Sequence, residues 1–224
     1  MENINISVVI LNWLRPNNIK NKIIPYLLKS SLVNEIIISH GRIDTYFELN
    51  IKSSIDIINR KDFEKNKIFG LSLRFLAALN CKNNKILFID DDIVVYPLTI
   101  INMLKTSIKY HPCSVGRFGR SISKKYSYDC KNRSHFKNPI LLTSLLLVNK
   151  DLINIFWREY PKMNEFVIQH STPLWNGEDI FLSLLYLINY KKWGIVANNN
   201  YNFPIIQLIT KNDKQVAISN GYNH

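Results

Sequence analysis

Residues Lys85-Ile86-Leu87-Phe88-Ile89-Asp90-Asp91-Asp92 form a short apolar run that stops at three consecutive carboxylates. The run has the length of a buried strand. Three adjacent aspartates at a strand's end repel one another, and at neutral pH they favour a cation. Carboxylate oxygens are hard ligands suited to Mn²⁺ or Mg²⁺, above all where a phosphate completes the coordination. The triplet therefore points to metal-assisted chemistry on a phosphorylated substrate. On its own it reads equally as an acidic loop after a strand.

The rest of the chain alternates strand and helix patterns. Residues 6–11 read as a first buried strand ending at Asn12-Trp13-Leu14-Arg15-Pro16. Pro16 suits the first turn of a helix over 16–30, with Ile19, Ile23, Ile24, Leu27 and Leu28 on one face. Strands are expected at 34–39, 54–58 and 85–89, and amphipathic helices at 68–79 and 97–110. Strands at 114–120, 140–148 and 193–197 and helices at 151–158 and 179–190 complete the pattern, with 201–224 irregular. Such alternation predicts an α/β fold with a mostly parallel sheet flanked by helices. No linker divides the chain, so a single domain is expected, with a nucleotide-binding half (1–96) and an acceptor-binding half (97–224). Ligands in open α/β sheets sit beyond the carboxyl ends of the strands. Three of the expected strands end there in polar residues: Asn12 to Arg15, Ser39-His40, and the acidic triplet.

The 224 residues and 46% hydrophobic content suffice for a full core. The net charge of +12 rests on heavy use of lysine, which accompanies heavy use of Asn and Ile and reads as coding bias of an AT-rich genome. A basic surface still favours anionic ligands. The N-terminus lacks a basic n-region and a long h-region, and no apolar stretch is long enough to span a bilayer. Cys81, Cys113 and Cys130 are odd in number and lack metal-ligand spacing. A soluble, cytoplasmic protein with reduced thiols is the expectation.

Several motifs in the same order resemble the exostosin-like glycosyltransferases of family 64, which have the GT-A (Rossmann-like) fold. They are the opening strand with Arg15, the stretch from Asn66 to Leu71 with Arg74 and Phe75, and Asp90-Asp91-Asp92. Val115-Gly116 with Arg120, Tyr126-Ser127-Tyr128, Asn176-Gly177-Glu178-Asp179-Ile180, and Ser219 to His224 follow. Glu178 stands where the family often has Asp. The family's basic nucleotide-contacting residue would fall just past His224; either a lysine such as Lys211 or Lys214 takes its part, or the chain is trimmed there.

The resemblance implies transfer of a hexose or N-acetylhexosamine from a UDP-sugar, with Mn²⁺ or Mg²⁺ and with retention. It implies that Asp92, with Asp90, holds the metal, and that Asp90 and Asp91 face the ribose and donor sugar. A divalent cation between the two phosphates would stabilise the leaving UDP as a Lewis acid. Asp179 is the expected catalytic carboxylate, near the anomeric carbon, and Glu178 a second. Both also suit a helix start, where the dipole favours carboxylates. Arg15 suits a uracil edge or phosphate oxygens, and equally an exposed turn. Asn66 reads as a uracil or ribose contact, or as a helix N-cap. His40 lies near the base, or is structural. Arg120, Tyr128 and Trp175 are expected at the acceptor site, with core packing an equal account of Trp175. The acceptor is a glycan, protein or lipid, and the oligomeric state is open.

Rival classes fit less well. A nucleotidyltransferase wants a glycine-rich loop after the first strand, and residues 12–17 contain no glycine. A phosphatase wants an acidic nucleophile there, and Asn12 occupies the position. A nucleic-acid-binding module wants clustered charge, whereas the lysines are spread along the sequence. A transferase that binds its donor without turnover remains an alternative.

Overall fold

The computed structural model describes residues 4–49, 51, 53–122, 128–129, 140–169, 177–197 and 201–208. Strands in chain order are β1 (Ile6–Asn12), β2 (Val33–His40), β3 (Asp56–Lys61), β4 (Lys85–Asp90), β5 (Ile93–Val95) and β6 (Val115–Gly116). They continue as β7 (Gly119–Ile122), β8 (Tyr128–Asp129), β9 (Ile140–Leu141), β10 (Leu145–Asn149), β11 (Ile195–Val196) and β12 (Ile205–Gln207). Helices are α1 (Pro16–Asn18), α2 (Ile24–Leu27), α3 (Phe63–Phe69), α4 (Leu73–Ala78), α5 (Pro97–Lys109), α6 (Lys150–Gln169) and α7 (Glu178–Tyr190).

A seven-stranded sheet runs β11-β6-β10-β4-β1-β2-β3. Only β10 is antiparallel to its neighbours. The expected α/β architecture with a mostly parallel sheet is thus present. Both faces of the sheet are covered, which is why β1 is apolar almost throughout and every residue in it is buried. Alternate side chains take opposite faces. Val8, Ile10, Ile36, Ile38, Leu87 and Ile89 pack with α2 and α5. Val9, Ile37, Ile86 and Phe88 pack with α4, α6 and α7. On the second face Phe75 meets Phe88 and Phe156 edge-on at 5.1 and 4.7 Å. Truncating Phe88 there would cost about 3–5 kcal/mol.

Parallel register aligns the strand ends that carry the site. Asn12 lies beside His40, His40 beside Lys61, and Leu11 beside Asp90. Because β10 is antiparallel, its start joins the same edge: Leu145 pairs with Ile89, and the Asp90 amide donates to the Ser144 carbonyl at 2.9 Å.

Several expected elements are interrupted. The helix expected at 68–79 breaks at Gly70, whose φ of 49° is a left-handed value that favours glycine, and a 3₁₀ turn (Gly70–Ser72) leads into α4. The helix expected at 16–30 widens into a π-helical turn (Ile19–Ile23) ahead of Pro25, whose ring crowds the preceding turn and supplies no N–H. The strand expected over 140–148 splits into β9 and β10. The segment expected to be irregular contains β12, which pairs antiparallel with β5. Cys81 and Cys113 are buried free thiols, and burial pushes the Cys81 thiol up to about 12.

Candidate active site

The acidic triplet divides its labour. Asp91 is buried, and its Oδ2 accepts the backbone N–H groups of Trp13, Leu14 and Arg15 at 3.1, 3.1 and 3.2 Å. Its Oδ1 accepts from Arg15 Nη1 at 2.8 Å, and its carbonyl accepts from Asn18 Nδ2 at 3.2 Å. Asp91 and Arg15, both expected as donor contacts, are thus bound to one another, and they clamp the turn after β1 onto the end of β4. Three amides and a guanidinium on one carboxylate hold it immobile.

Asp90 and Asp92 are the open members. Asp90 Oδ1 accepts from Arg74 Nη1 at 2.7 Å, and its side chain keeps 32% of its surface. Asp92 is more enclosed, and Arg15 Nη1 stands 3.7 Å from its Oδ2. Burial, then the charge of Asp90, push the Asp92 carboxyl up to about 6, with Arg15 opposing. Such a carboxylate gains from added positive charge. Among the described residues, no group of three or more His, Cys, Asp and Glu side chains is arranged to hold a metal by itself. Two hard carboxylates fit a Mg²⁺ or Mn²⁺ ion that takes its other ligands from substrate phosphate and water.

In the sequence Arg74 stands only as part of a motif, yet it is the hub of the site. It is buried on α4, and Nη1 also donates to the Thr143 carbonyl at 3.1 Å. The charges of Asp90, Glu178 and Asp91 all raise its pKa against burial. The available signal was an arginine between Leu73 and Phe75 on an apolar helix face, where a charge needs partners. Thr143 was missed as well. The break between β9 and β10 frees its hydroxyl to donate to Glu178 Oε1 at 2.9 Å while its carbonyl receives Arg74.

Glu178 and Asp179 open α7 just after Gly177, whose φ of 111° favours glycine. Glu178 is buried, and its Oε2 accepts the Gly177 amide at 3.2 Å. Burial raises its pKa and Arg74 opposes. Asp179 Oδ1 accepts the Ile180 amide at 2.8 Å. Burial raises its pKa too, and the charges of Arg120 and Arg74 oppose. Asp90, Asp91, Glu178 and Asp179 therefore all interact electrostatically with one buried guanidinium.

The expected nucleotide side is assembled at the ends of β1 and β2. His40 is fully buried; its Nδ1 accepts from Asn12 Nδ2 at 2.8 Å, and its Nε2 faces Asn59 Oδ1 at 3.3 Å. That pairing puts the proton on Nε2, and burial holds the ring below its usual pKa, so it is neutral. His40 is a fixed part of the wall. Asn66 lies inside α3, not at its N-cap. It is 5% exposed, and its carboxamide makes no hydrogen bond to a described residue. A Cβ on Gly41 would lie 3.1 Å from Asn66 Oδ1 and 3.3 Å from the Trp13 ring. Gly41 thus lets Trp13 and Asn66 close in from two sides. Arg120 lies on β7; the Tyr128 side chain and Trp175 fall outside the described residues.

A sequence model of the glycosyl transferase family 64 domain matches residues 6–224. The chain belongs to glycosyl transferase family 64. No curated protein matches this family 64 glycosyltransferase significantly. Among solved structures, it is similar to 2-C-methyl-D-erythritol 4-phosphate cytidylyltransferase of Francisella tularensis, with 15% identity, a TM-score of 0.54, and coverage of 96% of this chain and 99% of that one. It is also similar to 4-diphosphocytidyl-2C-methyl-D-erythritol synthase of Anaerococcus prevotii, with 14% identity, a TM-score of 0.55, and coverage of 99% and 96%. At these identities the likeness is one of fold. It agrees with the Rossmann-like sheet of the family 64 chain.

Proposed function

We propose that this family 64 glycosyltransferase moves a hexose or N-acetylhexosamine from a UDP-sugar to a glycan, protein or lipid acceptor, with retention and with Mn²⁺ or Mg²⁺. The observation that carries the reading is the gathering of Asp90, Glu178 and Asp179 around Arg74, with Asp92 beside Asp90, at the carboxyl edge of the sheet. Asp92 and Asp90 would hold the metal, which supplies Lewis-acid stabilisation of the departing diphosphate. The unpartnered Asn66 carboxamide beside Gly41 and Trp13 suits a nucleobase or ribose. Asp179 is the carboxylate assigned to the reacting carbon, where it stabilises oxocarbenium-like charge or orients the acceptor hydroxyl. Glu178, bonded to Thr143 and facing Arg74, holds the start of α7 against the acidic triplet. Arg120 adds positive charge on the acceptor side.

Calorimetric titration of UDP with Mn²⁺, and again with EDTA, tests the donor site. Binding that requires the ion is expected, followed by UDP-sugar hydrolysis and transfer in an acceptor screen. No binding in either condition would overturn the donor assignment. Metal-dependent binding without turnover would favour a binding subunit.

A further inference from the structure

The charge of this chain is laid out unevenly. No Asp or Glu occurs at residues 3–34, 93–128 or 201–208. These stretches supply one outer face of the molecule. α2, β5 and α5 share a single apolar core. Tyr26 of α2 meets Tyr96, just ahead of α5, edge-on at 5.3 Å. Asn102 and Thr99 of α5 donate to the carbonyls of Asn202 and Pro204, which ties the segment before β12 to the same face.

Five exposed lysines lie on it: Lys20, Lys22, Lys29, Lys105 and Lys109. None forms an ion pair with a described residue. Three instead stand over aromatic rings, Lys29 over Tyr26 at 4.6 Å, Lys109 over Tyr110 at 5.1 Å and Lys20 over Phe47 at 5.6 Å. On α3 and α6 the signs mix, and most lysines meet an acid: Lys65 with Asp62 at 3.7 Å, Lys67 with Glu64 at 2.8 Å and Lys162 with Glu159 at 2.9 Å, while Lys150 donates to the Cys81 carbonyl. Compositional bias toward lysine does not produce this difference. It comes from where acids are missing.

This acid-poor face, bordered by Glu48 next to Phe47, also exposes apolar groups, with Leu98 48%, Ile108 47%, Tyr110 48% and Tyr201 92% accessible. Unpaired ammonium groups over aromatic rings, set among exposed aliphatic and tyrosine side chains, match the layered chemistry of a bilayer surface. Cations reach the phosphate plane, tyrosine sits at headgroup depth, and aliphatic groups enter the acyl boundary. A nucleic acid would use the lysines and leave Leu98 and Ile108 in water. We propose that this face docks on an anionic phospholipid bilayer. The proposal stands apart from the donor assignment.

Co-sedimentation with vesicles of phosphatidylcholine, and of phosphatidylcholine with phosphatidylglycerol, tests it. The protein should partition onto the anionic vesicles only. Changing the five lysines to Gln should weaken partitioning by a hundredfold or more, at about fivefold per lysine. Changing Lys61, Lys65, Lys67, Lys82 and Lys162 to Gln gives the same net charge and should leave partitioning near wild type. Leu98→Ser with Tyr201→Ser should weaken vesicle binding and spare heparin binding; this pair carries the test if circular dichroism shows the five-lysine variant unfolded. Equal losses from the two lysine sets would overturn the proposal, as would absent vesicle binding. Vesicle binding that is indifferent to Leu98 and Tyr201 and is competed away by duplex DNA would replace it with general polyanion binding.

Discussion

Arg74 Nη1 lies 2.7 Å from Asp90 Oδ1, and the two ends of this pair differ in solvent access: the arginine is 4% exposed and the aspartate side chain 32%. The cation is fixed inside the molecule and the anion reaches its surface. The protein thus holds an open carboxylate in place from behind, leaving its outer oxygen for a ligand.

Arg74→Met removes the countercharge that Asp90 and Glu178 share. The expected loss is about 3 kcal/mol at neutral pH, measured by urea unfolding. Glu178 already sits above the usual carboxylate range, and without the arginine it protonates more readily. Part of the loss should therefore return as the pH is lowered toward the acid range. An unchanged urea midpoint would mean that the guanidinium does not hold the site together.

Asp92 gives a pH dependence of definite sign. Its carboxyl rises from 3.8 to about 6 on folding, so between these values the folded chain keeps a proton that the unfolded chain releases. Its contribution to stability therefore grows as pH falls through about 6, and is lost as pH rises past it. In chelator, Asp92→Asn should flatten that part of the profile and stabilise the apo protein at neutral pH by on the order of 2 kcal/mol. Parallel melting profiles for the two proteins across this range would contradict the assignment.

Asp179→Asn preserves shape and removes charge. UDP binding in the presence of Mn²⁺ should stay within a few-fold of wild type, while turnover drops by roughly a hundredfold or more. Single-turnover kinetics on a UDP-sugar separate the two quantities. Wild-type rates in the variant would exclude Asp179 from the chemistry.

Gly41→Ala tests the nucleoside end. The new methyl group would press on Asn66 Oδ1 and Trp13. Moving either costs about 1–3 kcal/mol of packing and takes the carboxamide out of line. Affinity for UDP should fall while affinity for inorganic diphosphate is spared. Equal losses for both ligands would point to general damage.

The strands beneath the site were readable because burial on both faces leaves unbroken apolar runs, as in β1, β2 and β4. Strand order aligned Asn12, His40 and Asp90 without any contact information. The interruptions were harder. Thr143-Ser144 sit inside the apolar run 140–148 as a short polar interruption, and the strand opens there where the Thr143 carbonyl meets Arg74 and its hydroxyl meets Glu178. Periodicity likewise carried a helix through Gly70. For Asp91 the difficulty was different. Three identical side chains in a row give no local reason why the middle one should face inward to the β1 turn while its neighbours remain accessible.

The Leu208 amide donates to the Asp92 carbonyl at 2.7 Å, and β12 pairs with β5 immediately after the acidic triplet. More than a hundred residues separate these partners in sequence. During synthesis, β1, β2 and β4 can assemble long before β12 has left the ribosome, and distant pairings form late. The parallel core of β1, β2 and β4 is therefore an early structure and the pairing of β5 with β12 a late one. A nascent chain stopped short of residue 205 would carry all three aspartates with the backbone beyond them unpaired, a folded scaffold whose reactive edge has yet to set.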